Sequence, residues 1–208
     1  MIRKLSVPMI LAVVLAGCGS SATYSAVNHT KSGSKNTHTM ISNPYKAPLA
    51  NRALKRAYLQ AINKARSSAR RCGSEGYFSA TNDLRWSDAL YKAAYEHSND
   101  MAQTNIFKHR GSGRMTDNTG KVLDLGRGST FKERIVNNGY RNPKMLSENI
   151  TAGTLRDTAQ KAVDAWLASD GHCANLMNPS FREVGMAHVQ KVGTNYTHYW
   201  TQNFAKRL

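Results

Sequence analysis

The chain has 208 residues, 29 of them Lys or Arg against 13 Asp or Glu, for a formal charge of +16. With 40% hydrophobic residues it carries enough apolar content for one packed core, which excludes a wholly disordered chain; a mean hydropathy of -0.53 excludes a multi-span membrane protein. The length allows one domain or two small ones and requires no metal or dense disulfide scaffold merely to fold.

Arg3 and Lys4 precede an apolar run from Leu5 to Ala16, long enough for a secretory signal and shorter than the ~20 residues of a spanning helix. The run closes on Leu15-Ala16-Gly17-Cys18, which resembles a bacterial lipobox. That resemblance implies a lipoprotein signal peptide over residues 1–17, lipidation of Cys18 and retention at a bacterial membrane; an ordinary secretory signal with a chance cysteine is the alternative. Gly19 stands where an aspartate would argue for inner-membrane retention, so an outer membrane is favoured. Residues 18–50 contain no acidic residue and show neither a period of 2 nor one of 3.6. They read as a flexible basic tether spanning roughly 30 Å.

Residues 51–208 read as one folded domain. Five basic residues (Arg3, Lys4, Lys31, Lys35 and Lys46) precede it, so it keeps 24 basic against 13 acidic residues, or +11. Such a surface attracts acidic partners, among them lipid headgroups and envelope polymers, and a merely solvated basic surface is the alternative. An exported lipoprotein rarely meets nucleic acid, so no nucleic-acid partner is expected.

Asn51 is placed to cap a first helix with Leu54, Tyr58, Ala61, Ile62 and Ala65 on one face, ending near Cys72-Gly73. A second helix starts after Ser87, repeats Leu90, Ala94, His97 and Met101, and breaks around Asn105. A Gly-rich stretch, Arg110 to Ser129, precedes a short helix from Phe131 to Asn138 ended by Gly139. A fourth helix, from Asp157 to Ser169, turns Ala159, Ala162, Val163 and Trp166 inward, with Gly171 placed to terminate it. The segments 183–190 and 196–205, rich in Val, Tyr, Thr and Trp around Gly193-Thr194-Asn195, predict an antiparallel hairpin. Helices first and strands last predict an α+β fold.

Once Cys18 is lipidated, Cys72 and Cys173 remain, an even pair whose simplest state in an exported chain is a disulfide. It would close a loop of about 100 residues, worth up to ~4.7 kcal/mol in the chain-entropy model. The alternative makes Cys173 a thiolate nucleophile, but its neighbour His172 is poorly placed as a base because adjacent side chains seldom aim at each other. Of seven histidines, His29 and His38 lie in the tether, His97 is in phase with a buried face, and His188 and His198 read as structural hairpin residues. His109 and His172 remain, each just past an amphipathic element.

Five tags occur in order: Leu90 to His109; Glu133-Arg134-Ile135 with Asn138-Gly139-Tyr140; Ser147-Glu148-Asn149-Ile150; Trp166 with Ser169-Asp170-Gly171-His172; and Tyr199-Trp200-Thr201-Gln202-Asn203-Phe204. Together they resemble the CAP superfamily (SCP domain) of cysteine-rich secretory proteins and their relatives, in its shorter bacterial branch, over about Leu54 to Ala205. The resemblance implies an α-β-α sandwich with a three-stranded antiparallel sheet between helical layers, the third strand lying around Met145 to Thr151. It also implies a cleft lined by His109, Glu148 and His172 that binds zinc or another divalent metal in some members. The family's second acid is missing, because Ser169 stands at its position.

Two imidazoles and one carboxylate can bind zinc with an open fourth position. The alternatives are a metal-free polar cluster and a hydrolytic centre, for which no general base, oxyanion donor or groove is assignable. Arg110, Arg114, Lys121 and Arg127 read as part of a solvated mobile loop, with an anion-binding rim as the alternative. Gly120-Lys121-Val122 lacks the Ser/Thr of a phosphate-binding loop. The leading expectation is recognition of a ligand, lipid or envelope component through the cleft. A zinc hydrolase and a structural envelope protein with a vestigial cleft are the other classes.

Overall fold

The computed structural model describes residues 46–208; the segments read from the sequence as a signal peptide, a lipidated Cys18 and a tether lie, up to residue 45, outside the described residues. Helix α1 (Arg52–Arg66) opens on Asn51, whose side chain accepts the Leu54 N–H at 2.9 Å. It ends earlier than expected because the Ser67 N–H closes on Asn63 O and its hydroxyl on Lys64 O. The chain then forms a small antiparallel ribbon from β1 (Arg70–Arg71) and β2 (Tyr77–Phe78). After β3 (Arg85–Trp86), helix α2 (Asp88–Thr104) starts on a Ser87 cap and stops at Asn105, whose φ of 56° puts it in the left-handed region. The Gly-rich segment contains one short helix, α3 (Asn118–Val122), and α4 (Phe131–Asn137) opens on a reciprocal capping box between Thr130 and Glu133.

The remaining elements are β4 (Pro143–Ala152), α5 (Ala159–Leu167), α6 (Asp170–Met177), β5 (Glu183–Gln190) and β6 (His198–Arg207). The fourth helix read from the sequence corresponds to α5, and α6 is an additional helix beyond its end. Ser169 begins a new helix by accepting the Cys173 N–H at 2.8 Å. Gly171 lies in its first turn and not at a terminus; it lacks the positive φ through which a glycine stops a helix.

The main sheet runs β3-β5-β6-β4. Its three long strands are antiparallel as expected, but the sheet has a fourth member, because β3 pairs parallel with β5 over two residues. That segment is too short to show alternation, and it is held by Arg85 N–H on Arg182 O and Ser87 N–H on Val184 O. One face of the sheet, with Val184, Met186, Trp200 and Phe204, packs on α1, α5 and α6. The other face carries Ala187 against Tyr91 and Ala94, and Ala205 against Leu90 and Ala93, so it lies on α2. The result is the α-β-α sandwich.

The approach of α2 to β5 is set by Gly185, where a Cβ would fall 2.0 Å from Tyr91 N and 2.3 Å from Leu90 C. Only a residue without a side chain lets helix backbone lie this close to a strand. On the opposite face Cys72 and Cys173 are disulfide-bonded with a Cα–Cα distance of 5.4 Å, inside the larger core cluster.

Candidate ligand site at the sheet edge

β4 is an edge strand, and its neighbours Glu148 and Asn149 turn to opposite faces of the sheet. Glu148 faces the α2 side. Its carboxylate accepts both 2.9 and 3.1 Å bonds from Arg134 Nη2 of α4 and lies 3.1 Å from His109 Nδ1. Both ion-pair side chains are 1% exposed. Arg134 also donates to Ser129 O, Ser129 Oγ and His109 O, so one buried cation fixes the strand, the His109 backbone and the end of the Gly-rich segment. With its amide turned to satisfy both ends, Asn203 adds a donor to Glu148 at 3.2 Å and accepts the Ala94 N–H at 3.1 Å.

Asn149, on the other face, donates to His172 O at 3.0 Å and accepts from Asn175 Nδ2 at 3.0 Å. His172 therefore belongs to the α6 layer and His109 to the α2 layer, and their rings come within 6.2 Å of each other at the edge of β4, with planes 47° apart. The structure thus brings His109, Glu148 and His172 together, with the His109 side chain 52% exposed above a buried carboxylate.

Burial pushes the Glu148 carboxyl up, but Arg134 and the His109 bond outweigh it and hold the group at about 2. Burial and the nearby Arg134 push His97 down to about 3, so its ring is neutral at pH 7. His97 Nε2 lies 3.0 Å from Lys108 O, a structural role that places the segment entering His109. Burial, then His109, lowers His172. His188 and His198 are structural too: they bond at 2.9 Å, and His188 stacks on Trp200 with ring centroids 4.1 Å apart.

The segment expected to be a solvated loop is tied down by carboxylates. Asp100 accepts Ser112 N–H, Ser112 Oγ–H and Thr116 Oγ1–H. Asp117 accepts the N–H groups of Gly113, Gly120 and Ser129 and the Ser129 hydroxyl. Glu96 accepts Thr119 N–H and Oγ1–H and Asn138 Nδ2–H. Sequence reasoning missed the roles of Glu96, Asp100, Asp117, Arg134 and Asn149. For Arg134 a signal existed: three residues after Phe131 and one before Ile135, it falls on the buried stripe of α4.

The model of the cysteine-rich secretory protein (CAP) family matches residues 59–204, which is most of the sandwich and all of this site. The chain belongs to the CAP family. Two curated relatives from Bacillus subtilis (strain 168) match this CAP chain. The uncharacterized protein YkwD is 28% identical over 121 residues, covering 58% of this chain and 38% of that protein. The uncharacterized membrane protein YlbC is 28% identical over 124 residues, covering 60% and 29%. The match thus spans well under half the length of either relative. Among solved structures, an extracellular SCP-domain protein from Bacillus anthracis str. Ames aligns with a TM-score of 0.50 at 22% identity, over 78% of this chain and 45% of that one. An outer surface protein of Borrelia burgdorferi aligns at 0.47 and 20%, over 62% and 80%.

In this CAP domain the trio that the resemblance singled out includes a carboxylate engaged by Arg134. Among the described residues no group of three or more His, Cys, Asp or Glu is arranged to hold a metal ion. Both Glu148 oxygens accept hydrogen bonds from Arg134. The two imidazoles remain as donors. Ser169, at the place of the missing acid, heads α6 without a side-chain cap bond, and the adjacent Asp170 is turned away to Ser74, accepting its N–H and its hydroxyl at 2.8 Å each.

Proposed function

We propose that the chain is an exported, lipid-anchored CAP-domain binding protein that recognises a lipid or acidic envelope component at the β4 edge through His109 and His172. One observation carries this reading. A half-exposed imidazole stands on a buried Glu148–Arg134 ion pair joined by two hydrogen bonds, which is a pre-oriented contact group with little freedom left to lose on binding. Export and anchoring rest on the lipobox-like quartet ending in Cys18, and a disulfide suits an oxidising compartment. A divalent cation such as zinc, where one is bound, would be held by the two imidazoles with Glu148 left to Arg134.

A zinc-dependent hydrolase finds less support, because a carboxylate held at about 2 and bonded to a guanidinium is a weak general base at neutral pH. The test follows the ring resonances of His109 and His172 in the full chain during titration with anionic lipid micelles, soluble envelope fragments and zinc. Shifts at both rings, with the His172 shift lost in His109→Ala, support recognition at this edge. Unmoved rings in a folded protein overturn it, and zinc-dependent turnover abolished by His109→Ala replaces it with the hydrolase. Labelling with a radioactive fatty acid, lost in Cys18→Ser, tests the anchor.

A further inference from the structure

We propose a second binding site, apart from the histidine edge: a cup in the Gly-rich segment that takes a phosphoryl group carried on a hydroxylated moiety, a sugar or polyol phosphate. The cup has a volume of about 490 Å³ and is lined by Arg114, Lys121, Arg127, Asp124, Met115 and three glycines. None of His109, Glu148 or His172 takes part, so the site stands without the reading above. Arg110, grouped with these cations in the alternative rim reading, does not line it and donates instead to Gly128 O.

The cup is a built structure. Asp117 beneath it gathers the N–H groups of Gly113 and Gly120 on one side and Ser129 on the other. The two arms of the segment touch, since a Cβ on Gly128 would fall 1.8 Å from Gly111 O. Gly126, with φ of +61°, has nothing within 4 Å of where a Cβ would stand, which leaves the mouth open.

Its cations are divided in use. Arg127 is held by two bonds to Glu133, at 2.6 and 3.1 Å, which fixes its guanidinium. Arg114 and Lys121 form no ion pair among the described residues. A free guanidinium fork beside a free ammonium suits phosphoryl oxygens, the fork for paired bonds and the ammonium as a point charge. Asp124 disfavours a bare polyphosphate but accepts hydroxyl donors, so the same wall selects one phosphoryl group on a hydroxylated carrier. The excess positive charge of the domain draws such anions toward it.

The test uses the full chain carrying Cys18→Ser, titrated with glycerol 1-phosphate and, for comparison, glycerol, with calorimetry and amide resonances as readouts. Binding of glycerol 1-phosphate alone is expected to shift the Gly113, Gly120 and Gly126 amides. It should weaken with salt, weaken at least about tenfold in Arg114→Gln with Lys121→Gln, and persist in His109→Ala. Vesicles of phosphatidylglycerol, with phosphatidylcholine as control, separate the sources. Co-sedimentation that the double variant abolishes makes the phosphoryl group a lipid headgroup, and its absence beside retained glycerol 1-phosphate binding makes it a soluble or polymeric one; either result upholds the cup. No binding, equal binding by a folded double variant, or loss in His109→Ala overturns the proposal.

Discussion

Replacing Arg134 with Met should remove a large part of the stability of the domain and reverse the sign of the Glu148 contribution to its acid response. The Arg134 side chain donates to Ser129 O and Oγ, His109 O and both oxygens of Glu148. Breaking a buried pair by removing one partner costs about 3–5 kcal/mol, because the other charge is left uncompensated. The titration of Glu148 gives an independent scale: a carboxyl lowered from 4.5 to about 2 corresponds to about 3 kcal/mol. The two figures describe the same interaction and do not add. With total stabilities of about 5–15 kcal/mol typical of domains, urea unfolding followed by tryptophan fluorescence resolves the loss.

The pH series is the sharper readout. In the wild type the folded carboxyl is lowered, so its contribution is complete above about 4.5 and is lost as pH falls toward 2. Without Arg134, burial dominates and raises the folded carboxyl, so the variant should gain stability relative to wild type as pH falls from 7 toward 5. A second change, Glu148→Leu, should return part of the lost stability at pH 7, since no buried charge then lacks a partner. A single variant within about 1 kcal/mol of wild type at pH 7, or one that keeps the wild-type acid slope, refutes the account of Arg134 as the electrostatic centre of the site.

Removing the Cys72–Cys173 bond by Cys72→Ser with Cys173→Ser frees a sequence separation of 101 residues, and denaturant unfolding should show a loss of about 2–5 kcal/mol. Gly185→Ala places a methyl where Tyr91 N stands 2.0 Å away, so α2 must shift; a loss of about 1–3 kcal/mol or more is expected in thermal unfolding, and an unchanged Tm contradicts the contact. Burial, then His198, pushes His188 down from 6.5 to about 4. The unfolded chain therefore binds this proton first, and stability should fall as pH drops from about 6.5 to 4. His188→Phe, which keeps a ring on Trp200, should flatten that part of the stability curve relative to wild type.

Helices α1 and α2 were legible because each had both a cap and a stripe: Asn51 and Ser87 accept the N–H groups three residues on, as their sequence positions implied. The hairpin was legible for the same kind of reason, two β-rich runs around a Gly turn. The start of α6 was not, because Ser169-Asp170-Gly171 reads equally as a stop and as a start, and Cys173 of α6 packs into the core bonded to Cys72. The parallel pairing of β3 depends on residues nearly 100 positions away and leaves no local pattern. Within the site, the resemblance located His109, Glu148 and His172, while the residue that controls them, Arg134, is a charged side chain whose burial depends on a carboxylate arriving from another strand. Glu96, Asp100 and Asp117 were hidden likewise, since a carboxylate that organises backbone N–H groups looks in sequence like any solvated acid.

The neighbouring residues Glu148 and Asn149 also act as a key for strand alignment. Glu148 lies opposite Asn203 and Asn149 opposite Gln202 along β6. Sliding β4 by one position would exchange the two faces, taking the carboxylate away from Arg134 and sending it toward the α6 layer, while Asn149 would lose His172 O. A hydrophobic strand tolerates such a slip at the cost of packing alone, but here a misaligned strand leaves a buried cation without its counter-charge. Among the compact states open to the folding chain, the polar pair therefore singles out one threading of the edge strand, and the two histidines meet only in that one.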